Sequence, residues 1–182
     1  MKSSLTLLLV LISFSVVAQK PKMVPHIDFW NEEERIKKSE GNFVDGLEHG
    51  KWQYWYEDGE LMEESHFFRG KLHGEVLRYH ENGVLSHQGY FKLNQPDSLL
   101  IAWYDNENLK EKGHFEQGEK AGKWTYFYET GESKKVEIYR GDTLLVQSFW
   151  KPNGTVALSE GTGYTETYFS NGNVQERYEY HN

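Results

Sequence analysis

A pattern of 24 residues runs in four tandem copies through the middle of the chain. One column of the aligned copies reads Phe43, Phe67, Phe91, Phe115 and Tyr139. A second reads Trp55, Tyr79, Trp103 and Phe127, and a third Tyr56, His80, Tyr104 and Tyr128. Turn positions keep the same register, as Gly46, Gly70, Asn94, Gly118 and again as Gly50, Gly74, Ser98, Gly122. A repeat this regular means that each unit leaves an apolar face that only its neighbours cover, so the units stack around one continuous core. A chain of this kind offers an extended surface, and recognition along that surface is the function it implies.

Each unit reads as one β-hairpin. Residues 51–56 alternate and are dense in Trp and Tyr, which suit a pleated, half-buried surface. Glu57-Asp58-Gly59 supplies the chemistry of a short turn, repeated at Asn82-Gly83, Thr130-Gly131, Asn153-Gly154 and Asn171-Gly172. Residues 61–68 form the return strand, and residues 69–74, with a glycine at each end of Gly70 to Gly74, read as a longer connection to the next unit. The expected fold is all-β: tandem hairpins stacked into an elongated single sheet or solenoid. In the third copy Asn94, Ser98 and Glu107 replace glycines, and Gln95-Pro96-Asp97 reads as a loop or a break, because Pro96 has no N–H for a ladder. Strand alternation puts positions 52 and 54 on one face and 55 on the other. Columns that are apolar in every copy are expected to be core, and mixed columns surface.

The expected boundaries are a secretory signal peptide at residues 1–18, a leader with a short capping helix at 19–38, and a repeat domain at 39–182, regular over 41–139 and degenerate over 140–182. The signal reading rests on Lys2, an apolar run over residues 5–17 and the small residues before Gln19. The helix reading rests on acids preceding bases over residues 31–38, which matches a helix macrodipole. Removing residues 1–18 leaves 19 basic against 28 acidic residues and no cysteine. That balance disfavours nucleic acid and anionic lipid surfaces, and the lack of thiols leaves no disulfide staple. The chain is expected to be exported to the periplasm or beyond, and not integral to a membrane once cleaved.

The motif Gly50-Lys51-Trp52-x-Tyr54-x-Tyr56-x-x-Gly59, repeated at Gly122-Lys123-Trp124-x-Tyr126-x-Tyr128-x-x-Gly131, resembles the bacterial variant of the MORN repeat. Phe67-Phe68-Arg69-Gly70-Lys71-Leu72-His73-Gly74 resembles the linking half of that repeat. The resemblance implies stacked hairpins in an elongated sheet. Because some bacterial proteins with this repeat are antitoxin-like, it also implies a protein partner held on the repeat surface. A signal peptide departs from that pattern and points instead to a partner in the cell envelope.

Chemistry is sparse. His49 and His73 recur one repeat apart, about 10 Å by strand spacing, too far to share one zinc ion through repeat geometry. No catalytic or nucleotide-binding motif is present, so neither enzymatic activity nor a metal or cofactor is expected. The candidate partner-binding residues are tyrosines, because Tyr suits half-wet contacts: Tyr54, Tyr56, Tyr104, Tyr126 and Tyr128. A carbohydrate or cell-wall module is the alternative; it would place an exposed Trp at the same point of successive repeats, which Trp52 to Trp124 does not do, because Val76 and Leu100 intervene. Self-association along exposed edges is compatible with either.

Overall fold

The computed structural model describes residues 22–31, 33 and 35–181. The expected signal peptide lies outside them. Fourteen strands form one antiparallel sheet in which each strand pairs only with its sequence neighbours. They are β1 (Met23–Asn31), β2 (Ile36–Val44), β3 (Leu47–Trp55), β4 (Leu61–Phe68), β5 (Lys71–Tyr79), β6 (Leu85–Lys92) and β7 (Gln95–Trp103). The series continues with β8 (Leu109–Glu116), β9 (Glu119–Phe127), β10 (Ser133–Arg140), β11 (Thr143–Trp150), β12 (Val156–Ser159), β13 (Thr162–Tyr168) and β14 (Val174–Tyr180). No described residue is helical. At about 4.8 Å per strand the array runs to roughly 60 Å.

The expected turn lengths are reversed. The connection at Arg69-Gly70 is the two-residue turn, with φ of 51° and 73°. Asp45-Gly46, Leu93-Asn94 and Gln117-Gly118 repeat it, each with both φ positive, the geometry that matches strand twist. The second glycine, Gly74, lies inside β5, at an irregularity between the Ser65↔Val76 and Phe67↔Leu72 pairs. The turn after Trp55 is the wider one: Tyr56 N–H donates to the Glu60 carbonyl at 2.9 Å, and Gly59 N–H donates back to the Tyr56 carbonyl at 3.0 Å. Its shape recurs after Tyr79, Trp103, Phe127, Trp150 and Tyr168.

The leader and helix expected over residues 19–38 give way to two strands and a turn. Asn31 ends β1 and residues 36–38 open β2, so the sheet begins at Met23 rather than at residue 39. This is a further hairpin of the array. His26 faces Gly41 as Trp52 faces Ser65, but 15 residues separate the first pair and 13 the second. The two additional residues go with the register shifts between Asp28 and Phe29 and between Phe29 and Asn31, where the next hairpin has a single shift, and they hide the period. Pro96 is also in a strand, not a loop. At the equivalent position Leu72 directs its N–H to the Asn94 side chain, at 2.7 Å, rather than to a ladder partner. A proline there forfeits no ladder bond.

The core is only part of the uniformly apolar set. Trp52, Val76 and Trp124, from a column apolar in every copy, are 3%, 3% and 1% exposed, as expected of core. Phe43, Phe67, Phe91, Phe115 and Tyr139, in an equally uniform column, are only half-buried, and Ala102, from a mixed column, is buried. A single-layer sheet has no second layer to cover it, so a ring is buried only by neighbours in its own sheet. Trp52 and Trp124 achieve this by lying flat over Gly41 and Gly113 of the preceding strand. A Cβ on either glycine would stand 2.2 or 2.1 Å from the indole. Gly41, Ser65, Gly89 and Gly113 thus form a column of small residues complementary to Trp52, Val76, Leu100 and Trp124. Each indole N–H is also satisfied, by the Asn42 carbonyl at 3.2 Å and the His114 carbonyl at 3.1 Å.

Candidate recognition surface

Three of the five candidate tyrosines belong to a ladder along the edge that carries the wide turns. The Tyr56 hydroxyl donates to the Tyr79 carbonyl at 2.8 Å, Tyr104 to Phe127 at 3.0 Å, and Tyr128 to Trp150 at 2.7 Å. His80 fills the missing rung by donating from Nε2 to the Trp103 carbonyl at 3.1 Å. Trp30 begins the series, its indole N–H donating to the Trp55 carbonyl at 2.9 Å. Asn82 and Asn106 add parallel bonds to Asp105 and Glu129, at 2.8 and 2.9 Å. Each of these five hairpins therefore grips the next through a side-chain donor, and the tyrosine hydroxyls are already engaged. Burial, with Glu166 and Tyr104 nearby, pushes the Tyr128 hydroxyl up to about 12.

Tyr54 and Tyr126 lie on the front face beside the buried indoles. Tyr54 stacks on Trp52 with centroids 6.1 Å apart, and Tyr126 on Trp124 at 6.2 Å. Burial, then Glu63 and Glu48, raises Tyr54 to about 12. Tyr126 is raised further, by burial and then by Glu137. Lys120 covers this second cluster, 3.8 Å above the Trp124 ring and 2.9 Å from the Tyr126 hydroxyl. The five tyrosines are all half-buried, and the fold separates them into an edge ladder and two ring clusters.

The back face carries what tyrosine-centred reasoning passed over. Trp55, Tyr79, Trp103 and Phe127 stand at one point of four successive hairpins, directly across from Leu61, Leu85, Leu109 and Ser133. All four rings are half-buried, and no described element covers them. Two strands of spacing set neighbouring rings about 10 Å apart. Lys37 lies 5.1 Å from the Trp55 centroid and Lys112 6.0 Å from that of Phe127. The sequence signal for this stripe is its uniformity, an aromatic in every copy, although uniformity alone points to core rather than to surface.

The two buried glutamates, Glu137 and Glu166, are each paired with cations and hydroxyls. Glu137, 5% exposed, accepts from Lys135 at 2.6 Å and from the Tyr139 hydroxyl at 2.9 Å. Burial works against its charge, but the bonds from Lys135 and Tyr126 prevail and hold its pKa below the usual carboxylate range. Glu166 accepts from Tyr168 at 2.6 Å and from Arg177 at 2.6 and 3.0 Å, with Lys151 at 3.5 Å. These bonds, led by Tyr168, lower its pKa against the cost of burial. His49 and His73 flank Phe68 at 5.6 and 5.9 Å, each with a buried, unpartnered Nδ1. Among the described residues no three His, Asp or Glu side chains converge as metal ligands.

Three segments, residues 48–68, 72–93 and 162–182, match the MORN repeat variant family. Two of them cover β3–β4 and β5–β6, and the third covers β13–β14, so the family's unit coincides with one hairpin of the sheet. The third lies in the part of the chain whose spacing is irregular, and it keeps the wide-turn geometry. No curated protein matches the chain.

Proposed function

We propose that this protein is an exported, non-enzymatic scaffold that binds a protein partner in the cell envelope through the back face of its sheet. Repeats of this family generally serve as protein- or membrane-binding modules. The observation that carries the reading is the row of Trp55, Tyr79, Trp103 and Phe127, half-exposed in register on a sheet with no covering layer among the described residues. Aromatic side chains supply large contact area at low conformational cost, and they dominate the centres of protein interfaces. An antitoxin-like or immunity-like role is the finer form of this proposal, in which the partner is an effector held inactive on the stripe.

A carbohydrate or cell-wall module is the second reading, because the same row sets an aromatic ring, Trp in alternate copies, at one point of successive repeats. The test is capture from an envelope extract by immobilised residues 19–182, beside a Tyr79→Ser, Trp103→Ser variant and a Tyr54→Ala, Tyr126→Ala variant. One protein retained by the native chain and by the front-face variant, but lost from the folded back-face variant, supports the scaffold. Retention of glycan fragments alone replaces it with the cell-wall reading. Equal retention by all three chains removes the back face from consideration.

A further inference from the structure

Where the regular repeats give way to the irregular C-terminal hairpins, β10, β11 and β13 line a cleft of about 500 Å³. Its floor is apolar: Val146 and Phe149 are buried there with Leu158 behind them, and Leu144 and Pro152 lie at the rim. Tyr128 and Tyr168 contribute rings, but their hydroxyls are engaged with the Trp150 carbonyl and with Glu166. A concave, mostly apolar site of this volume with one or two placed polar groups is the usual form of a small-molecule pocket.

The charges in the cleft sort unevenly. Glu137 is paired with Lys135, and Glu166 with Arg177 and Lys151. Lys134 lines the same cleft and makes no ion pair with any described residue. Its Nζ rests 5.5 Å from the Tyr128 centroid, and the charges that act on it are those of Lys135 and Lys110. Burial and these two cations lower its pKa. A half-buried ammonium with no carboxylate paired to it gains from an incoming anion, and weak local solvation strengthens that gain.

We propose that this cleft binds a small amphipathic monoanion, an apolar chain ending in a carboxylate, with the chain on Val146 and Phe149 and the carboxylate on Lys134. One uncompensated positive charge matches one negative charge. A dianion would place its second charge near Glu137 and Glu166. The site is separate from the aromatic stripe, and ligand binding here does not depend on a protein partner.

The test is titration calorimetry of residues 19–182 with octanoate and with octanol, repeated on Lys134→Gln and on Leu144→Asp. Both substitutions are at partly exposed positions, and circular dichroism checks that each variant keeps the native sheet. The native chain should bind octanoate at one site and in preference to octanol. Lys134→Gln should weaken octanoate at least tenfold and leave octanol unchanged, whereas Leu144→Asp, which adds a negative charge at the rim, should weaken octanoate more than octanol. Absence of octanoate binding, or equal binding of octanoate by the native chain and folded Lys134→Gln, overturns the proposal.

Discussion

At the scale of single residues, the third repeat holds its backbone where its side chains do not suit it. Asn94, Ser98 and Glu107 stand where other copies have glycine, and they keep the left-handed conformation of those glycines, with φ of 72°, 69° and 69°. That conformation costs a Cβ-bearing residue about 1–2 kcal/mol, partly offset by the entropy a glycine would lose on folding. Glu107→Gly and Ser98→Gly should each stabilise the protein by roughly 0.5–1 kcal/mol, read as a higher urea midpoint. Asn94→Gly should yield less, because the Asn94 side chain accepts the Leu72 N–H. The opposite change belongs to the glycines under the indoles. Gly113→Ala should destabilise by about 1–3 kcal/mol or more, since the new methyl meets Trp124 at 2.1 Å. Gly89→Ala should be milder, its nearest neighbour being Leu100 at 3.8 Å. Acid tests Glu166: with a lowered pKa, it contributes stability above the ordinary glutamate value, about 4.3, and loses it as pH falls through the lowered one. Hydrogen exchange in β13 and β14 should accelerate below that pH in the native chain, and Glu166→Gln should flatten the dependence.

At the scale of the hairpin, one unit is closed by its turns and tied to the next by its ladder rung. The sequence revealed the hairpins, because alternation and glycine spacing are local properties. It misjudged which turn is tight, since Arg69-Gly70 and Glu57-Asp58-Gly59 both carry turn chemistry and differ only in how the strands register around them. The first hairpin escapes a sequence reading because the acids and bases of residues 31–38 satisfy a helix-end rule while the register shifts around Phe29 break the period. Neutral hydrogen bonds contribute about 1 kcal/mol each, so Tyr56→Phe, Tyr104→Phe and Tyr128→Phe should each cost about that much. Thermal denaturation measures the loss. His80→Tyr should be tolerated, because it restores the residue type used in the other three copies. Trp30→Phe should loosen β1 and β2 selectively, with exchange rising there before the central strands respond.

At the scale of the whole molecule, a consecutive antiparallel sheet makes every strand's stability depend on two neighbours, and contacts between distant units are few. The two terminal strands have one neighbour each; β14 is exposed along nearly its whole length and β1 along much of it. Stability should therefore approximate a sum over units and their interfaces, with protection against exchange greatest near β3–β10 and lowest at both ends. Pro25 in β1, and Glu176 and Glu179 in β14, are features that discourage edge-to-edge growth. The single layer is also why both faces carry half-buried rings, and why one of them can serve as a binding surface.

The sequence by itself determined the all-β class, the hairpin unit and the tandem stacking, because a 24-residue period with glycine and aromatic columns acts through local alternation and nearest-neighbour packing. Tertiary structure alone decided the rest. Burial depends on what lies beside and above a ring, and in a sheet without a second layer that is set by the neighbouring strand. Trp52 is therefore core over Gly41 while Trp55, three residues on, is surface. Tyr56 is bound to the next unit's carbonyl for the same reason: its partner lies 23 residues away, and only the stacking of the hairpins brings the two together.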